Sequence, residues 1–355
     1  MPADSSFADE VFRYWIPRLL ADGVDPHDIE PVRASATDWQ SWPGAWEAQG
    51  RAHLDLAKER LAAGHKVTAG EALVKACLCF HFGQIVAYHE PAGKARLQAR
   101  KEQTYRDAAP LLTPPAQHVE IPWDGIALPG FLRRPVGGGP APAVVLVPGL
   151  DATKEDFHTI VEMCLRRGMA TLAYDGPGQG ETWKTRKLAE GFERSIVAVV
   201  HWLAARPDID GDRIAVLGRS LGGYYVPRAA ALEPKIAGCV VFGGTFDFDH
   251  WDDMPASVRR GFQSATGTDS EEAARKAIGR ASLEDVIDRV RCPTLVVHGK
   301  HDAILPWRQA VRIADSIPGA ELLMDEDGVH CCHNHAFRYR TAIADWLATT
   351  LGTGA

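Results

Sequence analysis

The sequence predicts a mostly parallel α/β sheet preceded by a helical region, and three features predict it. Short continuous apolar runs recur from residue 143 onward, helical stretches separate them, and the chain before Pro114 carries helical periodicity alone. Apolar runs of this kind suit strands buried on both faces, and their alternation with helices marks a parallel sheet. A chain of 355 residues accommodates a main domain of about 230–250 residues and a smaller partner. The expected division is a helical lid or dimerisation domain at 1–113 and a catalytic domain at 114–355.

In the first part, Phe7, Val11, Trp15 and Leu19 recur at helical spacing. So do Trp46, Leu54 and Leu61, and then Leu73, Cys77, Phe80 and Gln84. Thr68 and Glu71 form an S/T-x-x-E capping box after the breaker Gly64, which predicts a helix start there. Pro91 and Gly93 are expected to interrupt the helix that follows. From Pro114 the pattern alternates, and Asp124-Gly125 predicts the turn of a leading hairpin. Strands are then expected at 143–147, 170–174, 214–218, 239–243 and 294–298. The stretch 245–290, with mixed charges and aromatics, reads as a helical cap inserted between two of these strands.

Composition narrows the function classes. A formal net charge of -7 with no basic stripe argues against a nucleic-acid partner. No segment is apolar for long enough to span a membrane. The acidic start, MPADSSFADEVFRYW, lacks the pattern of a secretory signal, so a cytoplasmic protein is expected. Seven cysteines, an odd number, then read as free and mostly buried thiols.

Gly218-Arg219-Ser220-Leu221-Gly222 follows an apolar strand and opens a helical stretch, the context that the G-x-S-x-G nucleophile elbow requires. The fold class thereby narrows to an α/β-hydrolase fold. A serine hydroxyl needs a base to take its proton, and the base needs a group that fixes its tautomer. In this fold the order along the chain is Ser, acid, His. Asp302 lies just past the strand TLVVH, and His330 just past the next one, so both are placed where sheet loops converge on Ser220. The rival acids Asp325 and Asp327 share the loop of His330. Among rival histidines, His298 falls inside a strand, and His301, His333 and His335 lack a strand-end position. The run His330-Cys331-Cys332-His333 invites a metal reading, but no second ligand group stands at a suitable spacing, so no metal is expected. Oxyanion donors are expected from the backbone N–H groups of Leu221 and of Leu150, which follows Gly149 in the loop after AVVLVP. Lys154, Trp183, Tyr224, Phe246 and Trp251, with Asp252, are candidate substrate-binding residues on loops facing the elbow.

Four segments carry a resemblance: PGLDATKED at 148–156, DGPGQGE at 175–181, GRSLGGYY at 218–225 and GVHCCHN at 328–334. In these the chain resembles the 2,6-dihydroxypseudooxynicotine hydrolases, α/β-hydrolases of bacterial nicotine breakdown. It is similar, more loosely, to fungal hydrolases that shorten polyketide pigments. The resemblance extends into the helical part through Asp38-Trp39 and residues 63–69, AGHKVTA. It implies a cofactor-free homodimer that cleaves a carbon–carbon bond next to a ketone in a small molecule, with the triad on Ser220, Asp302 and His330. It also implies an auxiliary acid, which falls among Asp247, Asp249, Asp252 and Asp253. Two other readings compete, a carboxylesterase or thioesterase using the same machinery and an inactive ligand-binding pseudo-hydrolase.

Overall fold

The computed structural model describes residues 15–88 and 90–353. The chain divides into two compact units, Met1–His118 and Val119–Ala355. Among the described residues no helix is long and apolar enough to cross a membrane.

The first unit is helical: α1 Ile16–Asp22, α2 Pro26–Ser35, α3 Trp42–Ala62, α4 Lys66–Ile85 and α5 Pro91–Ala108. Its centre is α4, which is buried on nearly every side from Ala69 to Ile85 and so includes all four residues of the predicted stripe, Gln84 among them. Gly50 on α3 makes this possible, since a Cβ there would stand 2.4 Å from the Phe80 ring. Trp15, Trp39, Trp42, Trp46 and Phe82 form a chain of mostly edge-on rings with centroids 5.6 to 6.4 Å apart. The Trp42 indole donates to the Phe82 carbonyl at 2.8 Å. Phe7 and Val11 of the first predicted stripe lie outside the described residues.

Three local expectations are corrected. The capping box does not form, because α4 starts at Lys66 and leaves Thr68 and Glu71 exposed inside its first turns. Gly64, at φ +81°, ends α3 so tightly that the next helix begins two residues later, and the sharp turn displaces the capping signal. Pro91 and Gly93 do not interrupt α5. Pro91 is its first residue, where a missing N–H is harmless, and the break falls before it. Leu61, on the predicted stripe of α3, faces solvent.

The second unit is built on one eight-stranded sheet of order β1-β2-β4-β3-β5-β6-β7-β8. The hairpin of β1 (Ala116–Trp123) and β2 (Ile126–Arg133) turns at Asp124 and Gly125, both at positive φ, as the primed hairpin turns require. Strand β2 runs antiparallel to β4 (Ala170–Tyr174). Then β4, β3 (Ala141–Val147), β5 (Ile209–Arg219), β6 (Ile236–Phe242), β7 (Thr294–Gly299) and β8 (Glu321–Asp325) run parallel. Alternate residues of these strands feed two cores. Val145, Val147 and Val216 pack with Ile196 and Val200 of the helix Glu193–Ala204. Val144, Leu146 and Leu217 pack with Ile160 of the helix His158–Leu165 and Ile343 of the helix Ala336–Thr350. Burial on both faces is why these strands read as unbroken apolar runs. The segment after β6 is a helical insertion with helices Ala256–Thr266 and Glu271–Ile278.

Leu217 is fully buried in the second of these cores. Leu217→Ala is expected to destabilise the fold by about 2–5 kcal/mol, read as a lower urea midpoint at unchanged slope.

Candidate active site

Ser220 stands between β5 and the helix Gly222–Leu232, with φ +56°. A non-glycine residue tolerates that conformation only where its surroundings enforce it. Here the Ser220 N–H donates to the Phe242 carbonyl at 2.8 Å, and the Gly223 N–H returns to the Ser220 carbonyl at 2.7 Å. The flanking glycines are required by space. A Cβ on Gly218 would lie 2.1 Å from the Gly222 carbonyl oxygen, and one on Gly222 would lie 2.3 Å from that of Val147. Leu221 caps the helix, so its N–H belongs to the first turn, where helical N–H groups have no intrahelical acceptor.

Two loops bring the other groups. Asp302 follows β7, and His330 follows β8. His330 Nε2 lies 2.9 Å from Ser220 Oγ, and His330 Nδ1 lies 2.6 Å from Asp302 Oδ2. The second oxygen of Asp302 accepts from the N–H groups of Ile304 and Leu305 at 2.8 and 2.9 Å. The Asp302 carboxylate is fully buried, while the His330 ring keeps 14% exposure. Burial disfavours the Asp302 charge, but His330, His298 and the Leu305 N–H outweigh it and hold the pKa below the ordinary carboxylate value. Burial likewise disfavours a charged His330. The Asp302 carboxylate, with a smaller contribution from Cys331, outweighs it and lifts the pKa well above the ordinary histidine value. An imidazole so placed can accept the Ser220 proton while Asp302 fixes Nδ1–H as the opposite end.

The rivals are occupied or remote. Asp325 binds His335 Nδ1 at 2.8 Å, and Asp327 and His301 are exposed. His333 stands 3.3 Å from an Arg340 guanidinium nitrogen. His298 is buried within β7, its Nε2–H donating to the Leu305 carbonyl at 2.9 Å. The turn after His330 places Cys331 and Cys332 both in the left-handed region, at φ 50° and 47°. Neither is a glycine, and such residues cost about 1–3 kcal/mol each.

The expected substrate-binding residues fare differently. Lys154 turns into a buried ion cluster. Its side chain is fully buried, and its ammonium lies 2.7 Å from Asp175, 2.8 Å from Glu155 and 2.8 Å from Glu181. Burial opposes that charge, and the three carboxylates outweigh the penalty and keep it. Asp252 is exposed and pairs with Arg275, so it belongs to the surface. Phe246 is buried beneath the Arg312 guanidinium, 3.7 Å from the ring centre, and Trp251 is buried against Phe262. Both are packing residues. Tyr224 donates to the Ser282 carbonyl at 3.4 Å and lines a cavity of about 590 Å³ with Tyr225, Glu193 and Arg228, to which neither Ser220 nor His330 contributes. Trp183 is half-buried with the Lys187 ammonium 4.8 Å above its ring. Leu150 is partly buried and Leu221 buried.

Of the four acids between β6 and the helical insertion, Asp249, Asp252 and Asp253 are exposed. Asp247 is buried but held by Gln309 at 2.9 Å and by Arg312. Sequence reasoning missed His250 among them. It is buried, stacks on Phe248, and neither ring nitrogen has a hydrogen-bond partner among the described residues. Burial lowers its pKa against the pull of Asp247 and Asp302, which favours the neutral ring. A histidine flanked by Asp249 and Trp251 carries no pattern that separates it from a surface residue.

Comparison with known proteins agrees with this architecture. The chain is 38% identical over 341 residues to 2,6-dihydropseudooxynicotine hydrolase of Paenarthrobacter nicotinovorans, covering 95% of this chain and 92% of that protein. It is 32% identical over 338 residues to Hydrolase LUC6 of a Fusarium species, covering 81% and 80% of the two chains. A crystal structure of 2,6-dihydroxy-pseudo-oxynicotine hydrolase superposes with a TM-score of 0.89 at 37% identity, over 95% of this chain and 96% of the other. The family described as Esterase FrsA-like matches residues 38–348. A match of that extent, on a hydrolase sheet with its elbow in place, means that the chain belongs to the FrsA-like esterase family.

Proposed function

We propose that this chain is a serine hydrolase that cleaves the carbon–carbon bond next to the carbonyl of an aryl ketone or 1,3-diketone-like small molecule. The reading is carried by the hydrogen-bonded series Ser220, His330 and Asp302. Its substrate class is supported by the relative named 2,6-dihydropseudooxynicotine hydrolase, 38% identical over 95% of this chain.

A carbon leaving group departs only if its electron pair is stabilised, as when a hydroxylated ring ketonises and makes the aryl ketone a vinylogous 1,3-diketone. His330 takes the Ser220 proton at Nε2 as Oγ bonds to the carbonyl carbon. The N–H groups of Leu221 and Leu150 receive the oxyanion. The tetrahedral oxyanion collapses to the carbonyl of an acyl-serine, the carbon–carbon bond breaks, and its electron pair leaves on the ring, which takes the proton from His330. A water molecule, losing its proton to His330, then hydrolyses the acyl-serine to a carboxylic acid and restores Ser220. No step calls on anything but side chains, backbone and water. The family description favours a second reading, hydrolysis of simple carboxylic esters by the same groups.

Product analysis separates the two. Incubation with a panel of 1,3-diketones and short p-nitrophenyl esters is expected to yield a carboxylic acid and a ketone from the diketones, and Ser220→Ala is expected to abolish it. Ester turnover without ketone cleavage would reject the carbon–carbon reading in favour of the second. Failure of a fluorophosphonate to label Ser220 would reject both.

The electrostatics of the pair set the pH dependence. Only neutral His330 accepts a proton, and its pKa is raised above 6.5, so kcat/KM is expected to climb with pH through a midpoint above that value. Asp302→Asn removes the cause, which should lower the midpoint and cut kcat by about 10⁴-fold. The stabilising effect of the pair has the matching sign. The His330 part is lost as pH rises through its raised pKa, and the Asp302 part as pH falls through its lowered one.

A further inference from the structure

We propose that Gln179 is a positioning residue for the oxyanion hole, holding the Gly149–Leu150 peptide so that the Leu150 N–H faces the carbonyl under attack. The inference deepens the serine-hydrolase reading and rests on it.

The side chain of Gln179 is buried, and every polar atom of its amide is engaged. Nε2 donates to the Gly149 carbonyl at 2.6 Å and to the Pro148 carbonyl at 3.0 Å, and Oε1 accepts from the Gly176 N–H at 3.2 Å. That acceptor fixes which way the amide points, since a flipped amide would set its oxygen against two carbonyl oxygens. In a trans peptide the C=O and the following N–H lie in one plane and point in opposite directions. Among the described residues only the Thr113–Pro114 bond is cis, so anchoring the Gly149 oxygen orients the Leu150 N–H as well. The anchored peptide is next to the nucleophile. A Cβ on Gly149 would lie 3.0 Å from the Cβ of Ser220 and 3.5 Å from its Oγ.

Gln179 is itself held from both sides. Its N–H donates to Thr182 Oγ1 at 3.2 Å, and that hydroxyl lies 2.6 Å from the Gly176 carbonyl. Four residues earlier, Asp175 accepts from the N–H and ammonium of Lys154 at 2.9 and 2.7 Å. The loops after β3 and β4 are thus joined twice, by an amide at Gly149 and by an ion pair at Lys154. This gives the DGPGQGE segment a task in the chemistry: it carries the clamp for a donor that lies about thirty positions earlier in the chain.

Gln179→Glu places a carboxylate against two carbonyl oxygens, and Gln179→Met removes the donor without adding charge. With a short p-nitrophenyl ester, each is expected to lose about 10²- to 10³-fold in kcat, with phenylboronate affinity falling in step and KM held within about threefold. The acid limb of the pH profile should not move, because the Ser220, His330 and Asp302 contacts are untouched. A folded variant with wild-type kcat and boronate affinity overturns the proposal, as does a parallel shift of KM and the pH limb, which would mark general damage. If neither variant folds, the wild-type protein decides. The ¹⁵N-labelled Leu150 amide must shift on phenylboronate binding, and a stationary signal overturns the proposal. An inert wild type would instead sink the serine-hydrolase reading, which keeps the two failures distinct.

Discussion

The hydrogen bond from the Ser220 N–H to the Phe242 carbonyl joins the end of β5 to the end of β6 at the point where the chain must reverse into a helix. Together with the bond from the Gly223 N–H to the Ser220 carbonyl, it holds the serine at φ +56°. The rest of the site is arranged around that serine. Gly218 and Gly222 leave the turn room to close, β7 and β8 end where Asp302 and His330 can reach it, and Gly149 approaches it from β3. Parallel strands make this convergence possible, because all of their carboxyl ends lie along one edge.

Most of that edge was legible in the sequence. Continuous apolar runs located the strands, since residues buried on both faces leave no alternation to obscure them. Ser220 and Asp302 were legible because each follows such a run, and His330 because it trails the half-exposed β8; the structure brings the three within hydrogen-bond reach. Side-chain direction was not legible. Lys154, Phe246 and Trp251 stand on loops at that edge, yet one enters a carboxylate cluster and two turn into the packing. Loop position constrains a Cα atom and says little about where a long side chain finds its counter-charge or its apolar neighbours. The start of α4 was misplaced for a related reason: a capping box is a local preference of about 1 kcal/mol, and the turn at Gly64 settles the boundary first.

Charge is buried here on a consistent plan. Lys154 with its three carboxylates, and Arg219 with Asp156 at 2.6 Å, sit within or beside the loops that approach Ser220. An isolated buried charge would be costly, and paired and hydrogen-bonded it resists displacement, because removing one member strands the other. Such pairs add little net stability compared with apolar packing. What they add is a single allowed geometry for the loops that carry backbone donors.

The two left-handed cysteines after His330 extend this picture to the imidazole. Cys331 and Cys332 are fully buried, and their unfavourable backbone is sustained by the close packing around β6. Relaxation of that turn would release its stored energy and swing the ring off the serine while the sheet stayed intact. On gradual heating, then, the protein should fall silent as a catalyst before it melts.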